Sequence, residues 1–207
     1  TRTPFWRRIG CSTSVPAPPT GTTTSCATQT LVDDTAPDLY WRDNVANATI
    51  TPEQARTGAT LSIPAGAKVT YARLYWSALK VGATADKNVA LDWKGGPIQT
   101  VNADDSWSMS YGFASHPDWY YYQSSADVTD YVAKWGSGDF RVTGVEALPL
   151  VGVEVDRAFS AWSMVVFYEK LGDELRNLAL FDGFTSIDPG IAGPEKAEVT
   201  LSGFLVP

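Results

Sequence analysis

A single histidine, two cysteines and two methionines are all the imidazole and sulfur chemistry that 207 residues contain, and that scarcity removes several functions at once. With only His116 available, a histidine-rich zinc or iron centre cannot be assembled. Any Ser-His-Asp triad would also have to run through it. No Gly-x-Ser-x-Gly elbow surrounds a serine, and His116 stands in Ser115-His116-Pro117-Asp118, a turn sequence, so a turn histidine is expected. Basic residues are in the minority, 16 Lys and Arg against 23 Asp and Glu for a net charge of −7. Little counterion release is then available to reward a polyphosphate, and nucleic acid is not an expected partner. No run of about 18 apolar residues is present, so no helical membrane span is expected.

Both cysteines, Cys11 and Cys26, fall near the N-terminus. The stretch between them, Ser12 to Ser25, is rich in Ser, Thr and Pro and has no apolar periodicity with which to order itself by burial. Closing a loop of this size covalently is worth about 3 kcal/mol in the chain-entropy model. Two unrelated thiols are the alternative. The disulfide is the expectation, and with it an oxidising, extracellular or cell-surface location. The start at Thr1, with neither Met nor a signal-peptide pattern, is read as a mature or trimmed terminus.

What the chain has in quantity is aromatic side chains, 8 Trp, 9 Tyr and 8 Phe, with 17 Gly and 13 Pro spread along its length. Aromatic and β-branched residues suit pleated, half-buried surfaces, and dispersed Gly and Pro suit the turns between short strands. Residues 1–30 read as an extended arm, with Phe5 and Trp6 as anchors. From residue 31 the texture changes. Strands are expected at 30–32, 39–41, 59–63, 69–77, 89–93, 98–101, 140–145, 148–155, 178–181 and 197–206. In Val69 to Ser77 Arg73 interrupts the alternation, which predicts a bulge or a strand covered on both faces. Ala158 to Tyr168 is the most continuous hydrophobic run and is expected at the centre of a sheet. Val128, Tyr131, Val132 and Trp135 fall at helical spacing before Gly136, which predicts a short connecting helix over 127–135. Roughly ten strands with frequent turn signals mean an all-β sandwich or jelly roll over 31–207, after the arm.

Blocks of this chain resemble a known family. Pro64-Ala65-Gly66-Ala67-Lys68-Val69-Thr70-Tyr71-Ala72-Arg73-Leu74-Tyr75-Trp76, Ser125-Ala126-Asp127-Val128-Thr129-Asp130-Tyr131-Val132, Ala161-Trp162-Ser163-Met164-Val165-Val166-Phe167-Tyr168-Glu169 and Leu175-Arg176-Asn177-Leu178-Ala179-Leu180-Phe181-Asp182-Gly183-Phe184 occur in that order. Together they resemble the N-terminal β domain of large bacterial surface and gliding-associated repeat proteins, from about residue 60 to the end. The resemblance implies export, a surface location and a structural or binding role, and it supplies no catalytic residue. In relatives the segment resembling 201–207 continues into further strands. A missing neighbour strand would leave a sheet edge open to another chain.

Candidate binding groups follow from residue type. Trp107 with Trp119, Tyr120, Tyr121 and Tyr122 could serve core packing, a protein interface or sugar stacking. Consecutive aromatics in a strand point to both faces, so some are expected outward. The densest acidic loop is Asp33, Asp34 and Asp38, with Asp104-Asp105 and Asp127/Asp130 as further options. Such oxygen-rich loops fit calcium, although none has EF-hand spacing, and turn capping by Asp is the plainer use. Glu146, Glu154, Asp156, Glu169 and Asp182 are the acids that a glycosidase would have to pair across a cleft. The expected function is therefore a non-enzymatic, cell-surface structural or adhesive module contacting another surface protein or a neighbouring subunit. A lectin-like carbohydrate-binding module, with or without calcium, is the alternative. A glycosidase or peptidase comes third.

Overall fold

The structure, a computed structural model, describes residues 57–93, 96–112, 114–148, 159–174, 176–185 and 196–203. The arm at 1–30, the Cys11–Cys26 pair, Asp33, Asp34, Asp38, Glu154, Asp156 and the strands expected at 30–32 and 39–41 lie outside the described residues, as does all but Leu148 of the strand expected at 148–155.

Among the described residues eight strands and one helix follow in chain order: β1 (Thr57–Leu61), β2 (Ala67–Val81), β3 (Asn88–Trp93), β4 (Gln99–Asn102), β5 (Asp105–Ser110), β6 (Trp119–Asp127), α1 (Thr129–Trp135), β7 (Gly138–Thr143) and β8 (Ser160–Lys170). They form two four-stranded sheets, ordered β1-β7-β3-β4 and β5-β6-β2-β8. Each described pairing is antiparallel. One hydrophobic core joins Leu74, Trp76 and Ala78 of β2 and Tyr122 of β6 to Val89 and Leu91 of β3 and Phe140 and Val142 of β7. That shared core makes the fold an all-β sandwich. The jelly-roll form of the expectation goes further than these strands establish.

The length of β2 follows from its pattern. The register against β8 shifts between Val69 and Tyr71, so Thr70 is the extra residue of a bulge. Beyond it the alternation runs cleanly, with Ala72, Leu74, Trp76 and Ala78 fully buried and Tyr71, Arg73, Tyr75 and Ser77 half-buried on the other face. Both expectations for this strand are realised: it is bulged, and its outer face is partly covered.

The helix forms where the periodicity predicts, two residues later at its start. The Asp127 carboxylate accepts the Thr129 N–H at 2.8 Å and turns the chain out of β6. Gly136 ends the helix with φ 63°, its N–H donating to Val132 O at 2.8 Å. Tyr131 accepts the Trp93 N–H at 3.0 Å and donates to Pro97 O at 2.8 Å, tying the helix to the end of β3. The Trp135 ring stacks on Trp93, with centroids 4.9 Å apart.

The structure corrects several expectations. Among the described residues β8 stands at the end of its sheet, and the centre is held by β6 and β2. Its continuous hydrophobicity has another cause: Trp162, Met164 and Val166 pack on the core, while Ala161 and Val165 line a cleft on the opposite face. Segments 176–185 and 196–203 carry no strand, contrary to the strand expected at 178–181 and to the described part, 197–203, of that expected at 197–206, whose last residues lie outside the described residues. Conversely, the polar and aromatic stretch at 103–125, whose aromatics are expected on both faces of a strand with no bounds assigned, supplies β5 and β6. There Trp107 and Trp119 take outward positions, and Ser106, Ser108 and Ser110 of β5 take the alternate ones.

Candidate functional site

The outer face of the β5-β6-β2-β8 sheet is built from side-chain rows set by register. One row runs Trp107, Gln123, Ser77, Ala161; the next runs Asp105, Ser125, Tyr75, Ser163; a third places Met109 and Tyr121 beside Leu79. Partners opposite one another in an antiparallel ladder point to the same face. Ser77, Ala161 and Ser163 are small neighbours on β2 and β8, so the face is hollow where they meet. Around this hollow, Tyr75, Gln123, Phe159 and the extended segment from Leu180 to Thr185 enclose a cleft of about 610 Å³.

Segment 176–185 is tethered across the sheet rather than paired into it. The Tyr75 hydroxyl donates to Asp182 Oδ2 at 3.1 Å, and Gln123 Nε2 approaches Gly183 O at 3.4 Å. Arg73 braces the same point, its Nε lying 3.5 Å from Asp182 Oδ2. Its other nitrogens reach Asp105 at 2.6 Å and Asp104 at 3.4 Å, and Nη2 donates to Ser125 Oγ at 2.9 Å. Charge-assisted bonds of this kind are stronger than neutral ones, and the Arg73 side chain is only 11% exposed. Burial, followed by the bond to Asp182, pushes the Tyr75 phenol up to about 12.

A second polar cluster closes one end of the sandwich. Lys80, on the inward side of β2, donates to Thr84 O at 3.0 Å and pairs with Glu146 at 2.5 Å. Asp86 accepts N–H groups from Asn88 at 3.1 Å and Glu146 at 3.0 Å, while its carbonyl accepts Trp76 Nε1 at 3.1 Å and Ser124 Oγ at 2.6 Å. Burial raises the Asp86 carboxyl above its ordinary value, opposed by those backbone donors. The Tyr122 hydroxyl donates to Glu146 O at 2.8 Å, and burial pushes its pKa up strongly. These bonds fasten loops 82–87 and 144–148 to the sheet, and the donors and acceptors are spent on one another.

The structure divides the aromatic group singled out in the sequence. Trp107, Trp119 and Tyr121 take the outer face, whereas Tyr120 and Tyr122 take the inner one, and Tyr122 is fully buried in the core and offers no contact surface. Trp119 and Tyr121 pack with Leu79, Tyr111 and Leu148 in a second hydrophobic cluster. His116 is the expected turn histidine: its carbonyl accepts Trp119 N–H at 3.2 Å and its ring stacks on Trp119, centroids 3.7 Å apart.

Among the described residues the candidate acids Glu146, Glu169, Asp182, Asp104, Asp105 and Asp127 are each turned to a cation or a backbone N–H rather than paired across a cleft. Glu146 pairs with Lys80, Glu169 with Lys68 and Asp182 with Arg73, and Asp182 is the acid that lines the cleft. Asp104 turns to Arg73 and to the Asp127 N–H, and Asp127 to Thr129. Among the described residues no group of three or more His, Cys, Asp or Glu could hold a metal ion.

No family model, curated protein or solved structure matches this chain. Among the described residues no helix is long and apolar enough to cross a membrane.

Arg73, Tyr75 and Gln123 escaped the reading of the sequence as site residues. The one local signal was an arginine in an otherwise aromatic and aliphatic strand, a position that a half-covered outer face explains.

Proposed function

We propose that this chain is an exported structural or adhesive module of the cell surface that joins a neighbouring protein by strand addition at β8. The observation that carries this reading is the position of β8. Its eleven residues, Ser160–Lys170, form the end of a sheet among the described residues. A long, apolar end strand is a template for another chain, since alternate backbone N–H and C=O groups point away from the sheet. The four sequence blocks that resemble surface-protein β domains, the last two spanning β8 and segment 175–184, support the same reading. So does the expectation of a disulfide between Cys11 and Cys26 in an oxidising exterior. The partner is another surface protein or a neighbouring subunit. The 1–30 arm ahead of a single 31–207 domain is part of the same proposal; calcium at Asp33, Asp34 and Asp38 belongs to the lectin-like alternative.

Sedimentation at increasing concentration, combined with residue-resolved amide exchange, tests it, first with the chain alone and then with the surface fraction of the producing cells. Assembly should slow alternate amides between 160 and 170 and leave β1 and β4 unchanged. Assembly that protects β1 or β4 instead, or no protection of β8 under any condition, overturns the reading.

A further inference from the structure

The cleft on the outer face poses a recognition problem different from that of the β8 edge, and its lining restricts the solution. Its volume of about 610 Å³ falls in the range of small-ligand sites. Its floor is β2 and β8, and β2 is hydrogen-bonded on both sides, to β6 and to β8. A peptide laid across the face finds no free ladder on β2, and the edge of β8 points along the sheet rather than into the cleft, so it would have to be read through side chains alone. The lining also carries hydroxyl and amide groups: Ser77 donates to Tyr122 O, Tyr75 to Asp182 and Gln123 to Gly183 O, while Ser163 Oγ and the Gln123 amide oxygen have no protein partner among the described residues. A wholly apolar ligand would strip water from those last two without replacing their hydrogen bonds, which is unfavourable. The charge is already balanced: Asp182 is the acid in the lining, and it is held by Arg73 and by the Tyr75 hydroxyl. A cation would have to displace Arg73, and an anion would meet Asp182.

A ligand with hydroxyls on its edges, apolar C–H faces and no charge meets all three conditions. We propose that this cleft is a binding site for a neutral saccharide. The sugar's C–H faces pack against Phe159, whose ring stacks on Tyr121 with centroids 5.9 Å apart and is held by that contact. Large, rigid aromatic surface of this kind gives contact at low entropic cost. Beyond its bond to Gly183 O, Gln123 keeps its amide oxygen and a second N–H, and Ser163 Oγ has no hydrogen-bond partner among the described residues, so these groups remain for sugar hydroxyls. The site is preorganised, because Arg73 and Tyr75 fix the segment that forms its wall before any ligand arrives. The cleft lies on a sheet face, so the inference does not depend on strand addition at β8.

The test is calorimetric titration of the full chain with neutral oligomers of glucose, N-acetylglucosamine and mannose, and with a uronate oligomer as the charged control. At least one neutral oligomer should bind, with an affinity unchanged by added salt. Ser163→Tyr, which fills the hollow, and Gln123→Ala, which removes the amide, should each weaken that binding by about tenfold or more. Their unfolding midpoints show whether either variant has lost its fold; Gln123→Ala, a truncation on a half-exposed face, keeps the test open if Ser163→Tyr does not fold. Absence of binding by every neutral oligomer, binding that survives both substitutions in folded protein, or binding of the uronate alone overturns the inference. Sedimentation of the same variants reads assembly separately, so failure of one proposal is not mistaken for failure of the other.

Discussion

Arg73 sits where alternation along β2 demands an outward side chain, and the three carboxylates around it come from two separate places in the sequence. Asp104 and Asp105 arrive from the start of β5 and Asp182 from the segment that crosses the sheet. That convergence also fixes Tyr75, whose phenol is held about two units above its ordinary value of 10.0, chiefly by burial and next by the bond to Asp182. The folded phenol then keeps its proton after the unfolded one has lost it. Its contribution to stability is whole below pH 10 and is lost as pH climbs through about 12. In ultraviolet titration, the ionisation step removed by Tyr75→Phe should centre near pH 12 in the parent protein and move to lower pH in Asp182→Asn. A step that stays in place in Asp182→Asn would mean that the segment at 182 does not reach the sheet. None of these partners could be paired from the sequence, since hydrogen bonds across 107 residues depend on register rather than on local pattern.

Elements were legible in proportion to the regularity of their patterns. The inward run Ala72, Leu74, Trp76, Ala78 and the helical spacing of Val128, Tyr131, Val132 and Trp135 both reappear as buried faces. Hydrophobicity on both faces of β8 points to a central position, but among the described residues the strand stands at the end of its sheet. In the structure the core covers one face and the edge of the cleft occupies the other. The bounds of β6 are not legible because four consecutive aromatics do not alternate in polarity, although they alternate in direction. The junction between α1 and β7 hides a steric demand that residue type reveals only in part. Gly138 has φ 145°, and a Cβ there would lie within van der Waals overlap of the Trp93 indole, which itself stacks on Trp135. Gly138→Ala should therefore cost about 2–4 kcal/mol, from the strained backbone and the displaced ring together. Urea unfolding measures it, and a loss below the spread of ordinary surface substitutions would refute the packing described for this junction.

At the scale of the whole molecule, the sandwich sets two sheets over one core and leaves their outer faces unequal. The β5-β6-β2-β8 sheet carries the long end strand, the tethered segment and the cleft, so the contacts proposed here gather on one side of the protein. A photo-crosslinking side chain placed at Tyr168, at the exposed end of β8, and another at Ile98, ahead of β4 in the opposite sheet, compares the two sides directly in the cells that produce the protein; these positions are 41% and 57% exposed. Strand addition at β8 predicts a discrete adduct with a second protein chain from position 168 and none from position 98. Adducts from 98 alone, or equal yields from both, would contradict it.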